Sequence, residues 1–365
     1  MNNQELLDVY SDYLLSSFGP TTATGLARLV GGSLSHDAIT RLLAGEVQSS
    51  ASWWHRVKPL VRQNERRDGV LIFDDSIEEK PYTDENDIIC WHYDHSKERN
   101  LKGINFLTAL YHNGEVGLPV AFQLIAKTET YVEAKSGKTK RRSPKTKNEY
   151  YREMVTTCVR NQLRFRYVLN DSWYASVDNM KVVKGDLERD FIMALKSNRK
   201  VARSVAAKAA GQFQPVSTLA TLEGTVCEVW LEGLAFPLLG TKQVFTNEDG
   251  STGTLYLVTS DLTLDFLTLT TIYQKRWKIE EYHRSLKQNA SLTKSPTRTV
   301  TTQTNHFVAA LYAYVKLEML KVATKLNHYA LKAKLYLSAL QSAYLELQKL
   351  QPIPLPTGFT AAQHE

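Results

Sequence analysis

Cysteine is scarce in this 365-residue chain: Cys90, Cys158 and Cys227 are far apart and none belongs to a CxxC pair. That spacing excludes a zinc ribbon and a disulfide framework and fits a reducing cytoplasm. Also missing is any window approaching the ~18 uninterrupted apolar residues that a membrane span needs. The N-terminal MNNQELLDVYSDYLL has no basic segment leading into an apolar one, so a soluble, cytoplasmic protein is expected. Neither a GxxxxGK[ST] phosphate loop nor a GxSxG elbow occurs, which leaves nucleotide hydrolysis and serine chemistry unsupported. Acid is outnumbered, 38 Asp and Glu against 45 Lys and Arg, and the resulting charge of +7 favours a polyanionic partner while saying nothing about fold.

What is present changes character along the chain. Up to residue 68 the apolar residues Leu6, Leu7, Tyr10, Leu14 and Leu15, then Leu26, Leu29, Ile39, Leu42 and Leu43, recur at helical spacing. Between the latter, Gly31 and Gly32 break one helix and Ser33 or Ser35 can cap the next, with Asp37 in its first turn. Two helices so joined are read either as simple packing or as a helix-turn-helix whose second helix offers His36, Thr40 and Arg41 to a DNA groove. From Gly69 the period becomes that of strands: GVLIFDDS, GINFLTALYHN and LPVAFQLIAK, the last two around the turn signal Asn113-Gly114, then RYVLNDSWY and DFIMALKSN. Helical patterns separate the later strands, around Tyr150 to Leu163 and Ala175 to Leu187, which argues for a mixed sheet flanked by helices. The run KSGKTKRRSPKTK, from Lys135 to Lys147, holds seven basic residues and no acid. Read as a solvated, disordered loop, it can still close on a phosphate backbone, with Lys140, Arg141 and Arg142 as contacts.

Residues 199–262 carry β-rich pieces such as TVCEVWLEG and GTLYLVTS and read as an inserted all-β subdomain. After Leu262 the chain turns helical, through IYQKRWKIEEYHRSLKQ and then Thr302 to Leu326 and Tyr329 to Leu350. In that first stretch Tyr273, Arg276, Glu280, Arg284 and Lys287 fall within a band of roughly 80° on a continuous helix, beside an Ile272, Ile279 and Leu286 stripe that can pack on a sheet. By spacing, the band is an ordinary surface of i,i+4 ion pairs. Two strands, however, each run into an acid, Asp74 and Asp171. With Glu280 they supply three carboxylates from three separated segments, the hard-oxygen set that two divalent cations need to act on a phosphodiester.

These residues resemble a known family. Tyr273, Arg276, Glu280 and Lys287 match Y-x2-R-x3-E-x6-K, the YREK signature of a large branch of bacterial insertion-sequence DDE transposases, the IS-four group, and Trp277, Glu281 and His283 extend the match. Asp74 is followed at two residues by Ser76, as in the D-x-[ST] of that family's first acid, and Asp171 closes a later strand before a β insertion, as its second acid does. The resemblance implies an RNase H-like core, two Mg²⁺ ions with Mn²⁺ able to substitute, and cut-and-paste movement of a DNA element by cleavage at its terminal inverted repeats and strand transfer. It implies Asp74, Asp171 and Glu280 as catalytic metal ligands, with Tyr273, Arg276 and Lys287 gripping phosphates and Trp277 packing or stacking nearby. Arg284 is expected beside them on DNA, and Trp230, in the β insertion, to hold a flipped base. Double-stranded DNA and a homodimer around paired ends are the implied partners.

Asp75 adjoins Asp74, and strand alternation sends the two side chains to opposite faces, so one of them is expected at the metals; the D-x-[ST] match selects Asp74. His92, Asp94 and His95 in CWHYDHS read as a polar loop rather than a metal site. The expected organisation is a helical DNA-binding region at 1–68, a catalytic core at 69–198, the β subdomain at 199–262, the core's YREK helix at 263–300, C-terminal helices at 301–350 and a flexible tail at 351–365. A nuclease that cuts without joining, and a catalytically silent DNA-binding derivative, are the competing readings.

Overall fold

A computed structural model describes residues 1–94, 97–134, 137–219, 222–246 and 249–350; the expected tail and His95 lie outside them. Four helices open the chain: α1 (Asn3–Ser16), α2 (Ala23–Leu29), α3 (His36–Ala44) and α4 (Ser50–Asn64). Gly31 and Gly32 end α2 at positive φ, 63° and 75°, where a side chain is disfavoured. Of the two candidate caps, it is the Ser35 hydroxyl that accepts the Ala38 N–H at the start of α3.

Strands β1 (Val70–Glu79), β2 (Ile89–Asp94), β3 (Arg99–His112) and β4 (Gly117–Leu124) follow, then the short β5 (Glu129–Val132) and β6 (Thr139–Arg142). Helix α5 (Lys147–Arg160) leads to β7 (Tyr167–Asn170), α6 (Val177–Met180) and β8 (Asp190–Leu195). Next come β9 (Lys200–Ala202), α7 (Val205–Ala209), β10 (Gln214–Pro215), β11 (Cys227–Leu231), β12 (Leu238–Thr246) and β13 (Thr252–Thr259). The chain closes with α8 (Phe266–Gln274), α9 (Trp277–Gln288), α10 (Val300–Thr324) and α11 (His328–Leu350).

One large mixed sheet dominates, in the order β10-β9-β11-β12-β13-β8-β7-β1-β3-β2, with β4 also on β3. β1 runs parallel to β7 and β7 to β8, while β1 and β3 are antiparallel. Gly103 is needed in that pairing, since a Cβ there would sit 2.1 Å from the Glu78 carbonyl oxygen. Val70 to Phe73 are fully buried, each contributing about 1.5–3 kcal/mol of apolar burial. Alternation along β1 sets the two layers. On one face Phe73 meets Tyr151 of α5, ring centroids 4.6 Å apart; on the other Phe106 of β3 meets His283 of α9 at 5.4 Å and Phe307 of α10 at 5.0 Å.

The N-terminal helices are tied into this body. Asn305 of α10 accepts the Gln48 N–H and donates to the Leu43 carbonyl; Tyr10 bonds His306 at 3.0 Å, and the Trp53 indole donates to the Pro119 carbonyl.

Four expectations change. The CWHYDHS segment is no polar loop up to Asp94: it forms β2, with His92 buried and 3.3 Å from the Cys90 sulfur. The basic run is no structureless loop where described: β5 and β6 pair as a hairpin in which acids answer the cations, Lys140 on Glu133, Arg141 on Asp87 and Arg142 on Glu129. The segment 199–262 is not all-β, since α7 lies among its strands, and those strands continue the central sheet through β13 and β8. The YREK segment is two helices, not one, because the chain tightens at Lys275 and Arg276: the Arg276 N–H bonds the Tyr273 carbonyl, three residues back, at 2.9 Å.

Candidate active site

β7 stops pairing with β1 at the Phe73–Asn170 register, but β1 runs on to Glu79. Beyond that step the flank of β1 is uncovered, and a cleft of about 520 Å³ opens there. Asp74, Asp75, Ser76 and Ile77 line it from β1, Asp171 and Trp173 from the end of β7, Glu280, His283 and Lys287 from α9, Lys147 from α5, and Tyr93, Asp94 and Lys97 from the β2–β3 hairpin. The three acids singled out in the sequence therefore face one space.

Each acid is held differently. Asp74 accepts the Asp75 N–H at 2.8 Å. Burial, reinforced by the charges of Asp171 and Asp75, pushes its carboxyl up to about 8. Asp171 follows a buried strand, and its Oδ1 accepts the N–H groups of Trp173 at 3.0 Å and Tyr174 at 3.4 Å. Burial raises its pKa, although those bonds and Arg276 oppose the rise. Glu280 accepts from Arg276 Nη2 at 2.8 Å.

Asp75 shares the cleft but not the treatment. It takes the α5 side of β1, as alternation requires, yet both faces reach the cleft because β7 no longer separates them. There it accepts from Lys147 Nζ at 2.6 Å, the Tyr174 hydroxyl at 2.6 Å and Asn105 Nδ2 at 3.0 Å. Burial alone would raise Asp75, but these donors, Lys147 foremost, hold it below the usual carboxylate range.

Cations complete the wall. Lys287 Nζ donates to Ser76 Oγ at 2.8 Å and the Ile77 carbonyl at 2.7 Å, and burial lowers its pKa. Burial pulls Arg276 down as well, but Tyr273, Glu280 and Asp74 outweigh it and leave the guanidinium more firmly charged. His283 is buried and pushed down to about 3, hence neutral.

Other residues picked from the sequence lie elsewhere. Tyr273 is buried, its hydroxyl 3.4 Å from the Asn170 carbonyl, behind the cleft. Trp277 is 57% exposed under the Arg276 guanidinium, ring centroid 5.0 Å away. Arg284 leaves the band expected of it and lines a separate pocket with Lys278, Glu281 and Lys321, on the Glu281 side of α9 rather than the side of His283 and Lys287 that faces the cleft. Trp230 lies on β11, toward the other end of the sheet, under Lys208. Arg41 is exposed on α3, and Lys140, Arg141 and Arg142 sit on the hairpin, none of them lining the cleft.

The family model for DDE superfamily endonucleases matches residues 2–214, and that for the transposase DDE domain matches residues 125–316. The chain belongs to the DDE superfamily. The first match contains Asp74 and Asp171, the second Asp171 and Glu280. No curated protein matches the chain.

DDE enzymes use divalent metals, and the donor set here suits hard cations: carboxylate oxygens, with no thiol lining the cleft. Burial raises the Asp74 carboxyl, and the charges of Asp171 and Asp75 add to the rise, so a cation placed among them would meet unneutralised acid. As placed, no three His, Cys, Asp or Glu among the described residues are close enough to hold an ion; Glu280 is committed to Arg276. Sequence reading missed Lys147, Trp173, Tyr93 and Lys97 as neighbours of the acids. Lys147 was visible as the last cation of the basic run, and Trp173 as the aromatic two residues after Asp171.

Proposed function

We propose that this DDE protein is a transposase of the YREK type that cuts DNA at the terminal inverted repeats of its own element and joins the freed ends to target DNA. The observation that carries the reading is the meeting of Asp74, Asp171 and Glu280, from three separated segments, in one cleft walled by Lys147, Lys97 and Lys287. Acids at the centre with cations around them suit a phosphodiester whose backbone is gripped while its reacting phosphate faces the carboxylates.

In this reading Asp74, Asp171 and Glu280 would hold two Mg²⁺ ions, for which Mn²⁺ could substitute, and Glu280 would have to exchange its Arg276 partner for them. When bound, the ions supply activation of the attacking hydroxyl and charge for the leaving oxygen. The chain's own groups do the rest. Lys287, fixed by Ser76 and Ile77, presents a positive charge beside the acids, and Arg276, once released by Glu280, offers a planar fork to a phosphate. Lys147 keeps Asp75 ionised and engaged, which leaves Asp74 as the free acid of the pair.

Double-stranded DNA is the substrate and target, and a homodimer brings two ends together. The helical region at 1–68, including Arg41, and the β5–β6 hairpin, including Lys140, Arg141 and Arg142, contact DNA outside the cleft, and Trp230 holds a base flipped from the element's end. The test is a single assay: purified protein, Mg²⁺ or Mn²⁺, and a plasmid bearing the element's terminal repeats. Excision followed by insertion is the expected result. Cleavage without joining would make the protein a nuclease, and binding without cleavage a silent derivative.

A further inference from the structure

Past Asp74, β1 carries a further acid that the fold does not account for. Alternation puts Asp74, Ser76 and Glu78 on the α9 side of the strand, and Lys80 follows just beyond its end. Glu78 and Lys80 are only 4% and 6% exposed, whereas Glu79, on the other side, pairs with Lys97 nearer the surface. The Glu78 carboxylate is poorly served for a buried charge. It faces Lys80 Nζ at 3.9 Å and, among the described residues, accepts no hydrogen bond, while that ammonium donates to the Thr293 carbonyl at 3.4 Å. Charge buried so loosely costs stability, and a neutral pair of similar size would serve the core as well or better. Burial accordingly raises the Glu78 carboxyl, against the charges of Lys80 and then Lys287.

Lys287 supplies the missing reason. Its Nζ enters the same row at Ser76 Oγ and the Ile77 carbonyl, two uncharged oxygens that only partly offset the burial of an ammonium. Burial lowers its pKa, and among the charges that bear on it Glu78 opposes the fall most strongly; Asp94 and Glu79 help, and Lys97 works against it. The Tyr93 phenol lines the same wall. Around the rest of the cleft stand Asp74, Asp171 and Glu280, the Asp75–Lys147 pair and the neutral His283. An ammonium has three donors, and Lys287 spends two of them on β1, which leaves one for an arriving oxygen.

We infer that Glu78 is a positioning residue for Lys287: its buried negative charge keeps that side chain an ammonium ion, seated on Ser76 and Ile77 and ready for a phosphate. The inference rests on the reading of Lys287 as a DNA contact. Charge then alternates along the row, from Asp74 through Lys287 and Glu78 to Lys80.

The sign of the effect follows. Without Glu78 the burial of Lys287 loses its strongest counter-charge, so the amine should give up its proton at lower pH. In the full chain labelled with ¹³C at lysine Cε, NMR should place the Lys287 titration midpoint at least about one pH unit lower in Glu78→Gln than in the wild type. Absence of the signal from Lys287→Ala assigns it. Binding of Glu78→Gln to terminal-repeat DNA without Mg²⁺ should match the wild type within about twofold near pH 6.5 and fall at least about fivefold behind it near pH 9, below the ordinary lysine value. In a Lys287→Ala background the Glu78 change should have no such pH-dependent effect, and Glu78→Asp, which keeps the charge, should restore much of the wild-type behaviour. If Lys80, deprived of its partner, unfolds the single variant, Glu78→Gln with Lys80→Met removes both buried charges and carries the same expectations. An unmoved midpoint overturns the inference, and so does a loss of affinity that is equal at both pH values or persists without Lys287. A midpoint that falls while DNA affinity stays put would uphold the coupling of Glu78 to Lys287 and remove Lys287 from the DNA contacts instead.

Discussion

Asp74 and Asp75 are neighbours on one strand whose charges are handled in opposite ways: Asp75 receives three side-chain donors and stays ionised, while Asp74 receives a single backbone N–H and is raised to about 8. A carboxyl raised in the fold takes up protons on folding. The contribution of Asp74 to metal-free stability should therefore fall as pH rises from 3.8, the ordinary value, to about 8, and level off above it. Asp74→Asn removes that burden, and at pH 8 without metal its melting temperature should exceed the wild type's by about 2–5 °C. Thermal scans across pH, with and without Mg²⁺, check this: Mg²⁺ should raise the wild-type value and leave the variant unmoved.

Asp75→Asn should act in the other direction. It strips the partially buried Lys147 ammonium of its partner, which typically costs about 1–3 kcal/mol. Denaturant unfolding should show the loss at neutral pH. Asp75→Glu should not rescue it, since an added methylene misplaces the carboxylate among three fixed donors.

Glu280→Gln keeps the shape of the Arg276 partner but not its charge. Cleavage of a terminal-repeat substrate should fall by a factor on the order of 10³, while binding of the same DNA in a gel shift stays within about threefold. Cleavage at the wild-type rate would remove Glu280 from the reacting set.

Lys287→Ala should weaken DNA binding across sequences and reduce the slope of affinity against salt by about one. Lys287→Arg should not restore it fully. The Nζ contacts to Ser76 Oγ and the Ile77 carbonyl suit a compact ammonium rather than a planar fork.

The strands β1, β3, β4, β7 and β8 were legible because each is an apolar run bounded by turn residues, and Asp171 was legible as the acid that follows one of them, whereas Asp74, read as ending its strand, lies within β1, which runs on to Glu79. β2 was not, because in ICWHYD the aromatic Trp91 and Tyr93 face outward and the polar His92 is buried, the reverse of the usual strand alternation. The break between α8 and α9 escaped because helical periodicity runs through Lys275 and Arg276 without a proline or glycine to mark it. Lys147 and the donors on Asp75 could not be seen at all. Asn105 lies on β3 and Tyr174 beyond β7, and nothing local tells either that it will meet a carboxylate on β1.

The early end of β7 has a consequence beyond shaping a pocket. Where that strand stops, the layer containing α5 and the layer containing α9 meet the same solvent, so the cleft registers the packing of both. Substitutions at Tyr151 on one side or Phe106 on the other, though neither lines the cleft, should therefore disturb the spacing of Asp74 and Asp171 from opposite directions, and a suppressor of one is best sought in the layer across the sheet.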